Sequence, residues 1–127
     1  MIFNLPIGGE RKAHVGAVSI HLDLEAAIER MGDKEIFLEI SRFFASGLPK
    51  TVQEMENALS AGDLEALTRL AHSCKSNCAA MGAEEVRARC LTLEQAGRAA
   101  DKVRAAAALE DLKPVLLALK ETLDRLS

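Results

Sequence analysis

Two glycine–aspartate junctions, Gly32-Asp33 and Gly62-Asp63, limit most strongly what this chain can fold into. Glycine readily takes the left-handed conformation that ends a helix, and the aspartate after it accepts hydrogen bonds from the free amides that begin another. On either side of these junctions apolar residues recur at helical spacing. Valine and isoleucine never form a sustained alternating run, so no sheet is read.

Further punctuation divides the chain into segments. Residues 1–18 hold Pro6, Gly8, Gly9 and Gly16 and read as an irregular N-terminal arm, with a helical domain over 19–127. A short helix is predicted from Asp23 to Met31, stopped by Gly32. A long one follows from Asp33, with Ile36, Ile40, Phe43, Phe44, Val52, Met55 and Leu59 as its apolar positions and a kink at Gly47–Pro49. A third runs from Asp63 to about Met81, where Gly82 breaks it. Glu84 and Glu85 open a fourth, lined by Val86, Cys90, Leu93 and Ala96 and ended by Gly97. A fifth, capped by Asp101, carries Leu112, Leu116, Leu119, Leu123 and Leu126, with Pro114 bending it, interrupting it or marking its true start. Four substantial helices joined by short turns predict an all-α fold: an antiparallel up-down-up-down four-helix bundle with an extra short N-terminal helix.

Composition removes several functions. A formal net charge of −3 offers no concentrated basic patch for nucleic acid, and four Phe without Trp or Tyr make poor base-stacking platforms. No apolar run approaches the roughly 20 residues needed to cross a bilayer, so no membrane association is expected. No secretory leader is read, so Cys74, Cys78 and Cys90 are expected to be reduced thiols in a cytoplasmic protein. No glycine-rich phosphate loop, His-Glu-x-x-His pair or serine-hydrolase signature is present, so no ATP site, zinc site or acyl-transfer centre is read. The acidic residues read as solvated helix surface. His14 and His21 have no ligand-spaced neighbours and are assigned no role.

His72 is different. At about 100° per residue, Leu67, Leu70, Cys74, Cys78 and Met81 fall opposite it and form a core stripe. Glu65, Thr68, Arg69, Lys75, Ser76 and Ala79 lie within roughly 60° of it, on a polar or small face. His72 therefore points away from Cys74 and Cys78, and the three cannot close on one metal from a single helix. A neutral imidazole in water is a nucleophile for activated phosphorus. Lys75, one turn on, can offset the charge of a phosphoryl group, and small neighbours leave a partner room to approach.

The segment His72-Ser73-Cys74-Lys75-Ser76-Asn77-Cys78-Ala79-Ala80-Met81-Gly82-Ala83 resembles the signature of histidine-containing phosphotransfer (HPt) domains. The runs Leu91-Thr92-Leu93-Glu94-Gln95 and Ala61-Gly62-Asp63-Leu64-Glu65-Ala66-Leu67 look similar to that family as well. His72, Lys75, Gly82 and Ala83 match directly. Ser76 stands where glycine is common, and Cys78 where serine is common. The resemblance covers roughly residues 20–126 and implies a four-helix bundle acting in a phosphorelay.

In that reading His72 accepts a phosphoryl group from a receiver-domain aspartyl phosphate and passes it to another receiver. Lys75 favours the charged group, and Thr68, Arg69, Ser76 and Ala79 form the docking face. The partners implied are receiver domains of response regulators or hybrid histidine kinases. Mg²⁺ is expected on the receiver and no cofactor on this chain, which would be a monomeric carrier rather than a kinase. Two alternatives stand beside it. One is a helical protein-binding module that is never phosphorylated. The other is a thiol redox sensor at Cys74 and Cys78, which their place on the core stripe disfavours.

Overall fold

The computed structural model describes residues 20–126, so the N-terminal arm and His14 lie outside the described residues. Five helices follow one another: α1 (Leu24–Met31), α2 (Lys34–Ser60), α3 (Leu64–Ala80), α4 (Glu84–Arg98) and α5 (Lys102–Asp124). Four begin as their sequence predicts. The carboxylates of Asp23, Asp33, Asp63 and Asp101 accept first-turn amides at 3.2, 2.7, 3.0 and 3.1 Å. Helix α4 starts at Ala83 with no side-chain cap, and Glu84 and Glu85 in its first turn face the positive end of the dipole instead.

Turns of three residues (61–63, 81–83 and 99–101) force consecutive long helices to run antiparallel. Helix α2 packs on α3, α3 on α4, α4 on α5 and α5 back on α2, closing a four-sided bundle, and α1 lies against α2. Phe37, Leu48, Met55, Leu67, Met81, Leu93, Leu109, Leu112, Leu116, Leu119 and Leu123 fill the interior. Fully burying a side chain of this kind contributes about 1.5–3 kcal/mol, which is why the leucine stripe of α5 dominates the core. Among the described residues no helix is long and apolar enough to cross a membrane.

Gly82 does two things. Its φ of +77° ends α3 in the left-handed region, and the backbone at the start of α1 lies against its α-carbon. A Cβ there would stand 2.5 Å from the Asp23 carbonyl oxygen. The Asp23 amide donates to the Gly82 carbonyl at 2.9 Å, so this close approach ties α1 to the end of α3.

The structure corrects two expectations and narrows a third. The first half of α2 turns a different face inward. Ile36, Ile40 and Phe43 are exposed, Phe43 by 82%, and Phe37, Ser41, Ala45 and Leu48 are buried instead. The buried stripe includes two small residues, so its hydrophobic signal is weaker than that of the exposed one. Ser41 satisfies its hydroxyl locally by donating to the Leu38 carbonyl at 2.9 Å. Second, Gly97 does not end α4. The helix runs on to Arg98, and Ala100, at φ +54°, takes the left-handed position. Gly97 is needed inside the helix because α3 crosses there: a Cβ would lie 2.2 Å from Thr68 Oγ1. Third, Pro114 neither interrupts nor begins α5, which leaves bending of the three effects named for it; α2 stays helical through Gly47 and Pro49.

Candidate functional site

Helix α3 presents His72 near its middle, and the ring is 56% exposed. The stripe opposite it is inside: Leu67, Ala71, Cys74 and Cys78 are buried. Nothing among the described residues walls the ring off. Its Nδ1, however, is not free. It lies 2.9 Å from Oε2 of Glu94 on α4, and that carboxylate is only 2% exposed.

Glu94 gathers the site. Lys75 Nζ stands 2.7 Å from Oε1, and the Arg98 guanidinium donates to Oε2 at 2.7 Å. The lysine contact is an ion pair without good hydrogen-bond direction, so Oε1 has a charge partner but no well-aimed donor. Lys75 is the main influence holding the Glu94 carboxyl below its ordinary range. Burial pulls the other way, and His72 and Arg98 add to the lowering. Glu94 is therefore ionised at neutral pH. An ionised carboxylate has no proton to give, so the proton in the contact belongs to His72 Nδ1. In the neutral form of the ring the lone pair is then on Nε2, which has no hydrogen-bond partner among the described residues.

The docking residues named from the sequence are not equivalent. Ser76 is exposed, and its hydroxyl donates to the His72 carbonyl at 3.2 Å. Arg69 is exposed, with Glu65 3.9 Å away. Thr68 is half-buried where α3 meets Gly97, its hydroxyl donating to the Leu64 carbonyl at 2.7 Å. Ala79 is half-buried, and Arg30 of α1 donates to its carbonyl at 2.8 Å. The open face is thus His72, Ser76 and Arg69, with Thr68 and Ala79 at its edges. Lys75, 22% exposed, lies toward α4.

Reading the sequence alone missed Glu94 and Arg98. All acidic residues read as solvated surface, and Glu94 overturns that. One signal existed: Glu94 follows Leu93 and precedes Ala96 on the apolar side of α4, which places a carboxylate beside the core.

A model of the Hpt domain family matches residues 39–127, more than half of the chain. The chain belongs to the Hpt domain family. A solved structure is also similar: histidine-containing phosphotransfer protein B (HptB) from Pseudomonas aeruginosa PAO1, with a TM-score of 0.74 at 26% sequence identity. The match covers 85% of this chain and 95% of that one. No curated protein matches. Membership of the Hpt family supports a phosphotransfer role in two-component signalling. Within the Hpt bundle seen here, the exposed histidine, its buried carboxylate and two flanking cations form one connected group on α3 and α4.

Proposed function

We propose that this Hpt protein is a phosphorelay carrier in which His72 accepts a phosphoryl group from a receiver-domain aspartyl phosphate and returns it to another receiver. The observation that supports this most strongly is the pairing of an exposed ring with a buried carboxylate at 2.9 Å. That pairing orients the imidazole, fixes its proton on Nδ1 and leaves Nε2 as the nucleophile.

In the transfer, Nε2 forms a bond to phosphorus as the bond from phosphorus to the aspartyl oxygen breaks, and the aspartate leaves as a carboxylate. Positive charge develops on the ring, and Glu94 lies where it offsets that charge. The phosphoryl group brings close to two negative charges. Lys75 and Arg98, already drawn together by Glu94, are the nearby cations able to turn toward it. Mg²⁺ on the partner receiver spreads charge in the loose transition state. The exposed Ser76 gives the receiver room over the ring.

The test is incubation with phosphorylated receiver domains from the same organism. Acid-labile, alkali-stable label appears on this chain and is absent in His72→Gln. No label with any receiver favours the reading as a binding module that is not phosphorylated.

A further inference from the structure

Away from the His72 face, α3 and α4 bring all three cysteines together. Cys74, Cys78 and Cys90 are free thiols buried between the helices. Their sulfurs all lie within 4.8 Å of one another. Cys74 and Cys78 are one turn apart on α3, and only the packing of α4 adds Cys90. Each alone packs as a small apolar side chain, and three converging from two helices also make a soft donor set.

We propose that Cys74, Cys78 and Cys90 form a binding site for a soft, thiophilic cation of low coordination number, of which Cu(I) is the representative. Sulfurs no more than 4.8 Å apart leave a point within about 2.8 Å of all three. A contraction of about 0.5 Å per sulfur, within reach of small side-chain rotations, gives the roughly 2.3 Å of a metal–thiolate bond. The donor set selects the ion. Thiolates favour soft metals, and Cu(I) accepts three of them. Structural zinc takes four ligands, and the buried cluster offers three. Each thiol that binds as thiolate releases its proton to solvent, and copper remains Cu(I) throughout.

A bound ion would link α3 to α4, the helices that carry His72 and Glu94. The proposal does not rest on phosphotransfer and can fail or hold independently of it.

The experiment is anaerobic titration of the reduced, full-length protein with Cu(I) against a chromophoric Cu(I) chelator. One Cu(I) per chain is expected, with a thiolate-to-copper absorption band. In Cys90→Ala the affinity falls by about tenfold or more while the helical circular dichroism is kept. A wild-type measurement decides the matter even if that variant does not fold. Bound Cu(I) should protect all three cysteines from alkylation during brief exposure to mild denaturant. Failure to compete with the chelator, unchanged affinity in a folded Cys90→Ala, or equal alkylation with and without Cu(I) overturns the site.

Discussion

His72 Nδ1 and Glu94 Oε2 stand 2.9 Å apart although 22 residues separate them in sequence. The contact joins the middle of α3 to the latter half of α4 and turns a surface imidazole into an oriented one. It also gives Glu94 a reason to be buried as an anion, because three cationic or donating groups converge on it.

Glu94→Leu removes the acceptor that fixes the ring. A lost charge-assisted hydrogen bond of about 1.5–3 kcal/mol corresponds to transfer from a phosphorylated receiver slowed roughly 10- to 100-fold. Single-turnover labelling measures it. Glu94→Gln, which can still accept from Nδ1 through its amide oxygen, should retain more of the rate. Equal rates in wild type and Glu94→Leu would show that ring orientation is immaterial.

Acid should weaken the bundle through this same group. The native pKa of Glu94 is lowered from the ordinary 4.5, first by Lys75. Its stabilising contribution is complete above the unfolded value and fades as pH falls through the lowered native one. Urea midpoints of wild type and Glu94→Gln should therefore differ most near neutral pH and converge in acid below 4.5. A constant gap across that range would separate Glu94 ionisation from stability.

Lys75→Ala and Arg98→Ala should separate two roles. Lys75 is mostly buried and holds Oε1, so its loss should cost about 1–3 kcal/mol of stability and also slow transfer. Arg98 is 65% exposed, so its loss should leave the urea midpoint nearly unchanged and act on phosphoryl transfer alone. Thermal melts beside labelling rates distinguish the two outcomes.

Ser76→Leu places a branched side chain on the open face one turn from His72. Transfer should be blocked while the melting temperature stays within a few degrees of wild type, because Ser76 is exposed and its hydroxyl bonds only the His72 carbonyl of its own helix. Unimpaired transfer would move the docking surface elsewhere on the bundle.

Gly97→Ala should destabilise the protein by about 1–3 kcal/mol, because its methyl group would meet Thr68 where α3 crosses α4. Ala100→Gly should stabilise it by about 1 kcal/mol by relieving the left-handed φ of +54°. Denaturant titration of the two variants reads both signs.

Much of this protein was legible along the chain. Asp23, Asp33, Asp63 and Asp101 announce helix starts by local chemistry, since a short carboxylate caps the amides two and three residues on. The placement of His72 opposite Leu67, Cys74 and Cys78 follows from helical period alone. Local signals failed where small residues decided the packing. Ile36, Ile40 and Phe43 outweigh Ser41 and Ala45 on any hydrophobic scale, yet the small pair lies inside. Gly97 looks like a stop because glycine usually is one, but a neighbouring helix uses its missing side chain.

Local chemistry along the chain therefore set the helices, the order in which they alternate, and the outward placement of His72 on α3. Tertiary structure alone decided that Glu94 is buried beneath that histidine, that Arg98 joins Lys75 around it, and that Cys90 completes a triangle with Cys74 and Cys78. The difference is one of range. Capping and periodicity act within a turn or two of helix, whereas these groups meet across the α3–α4 contact, where their positions depend on how two helices pack.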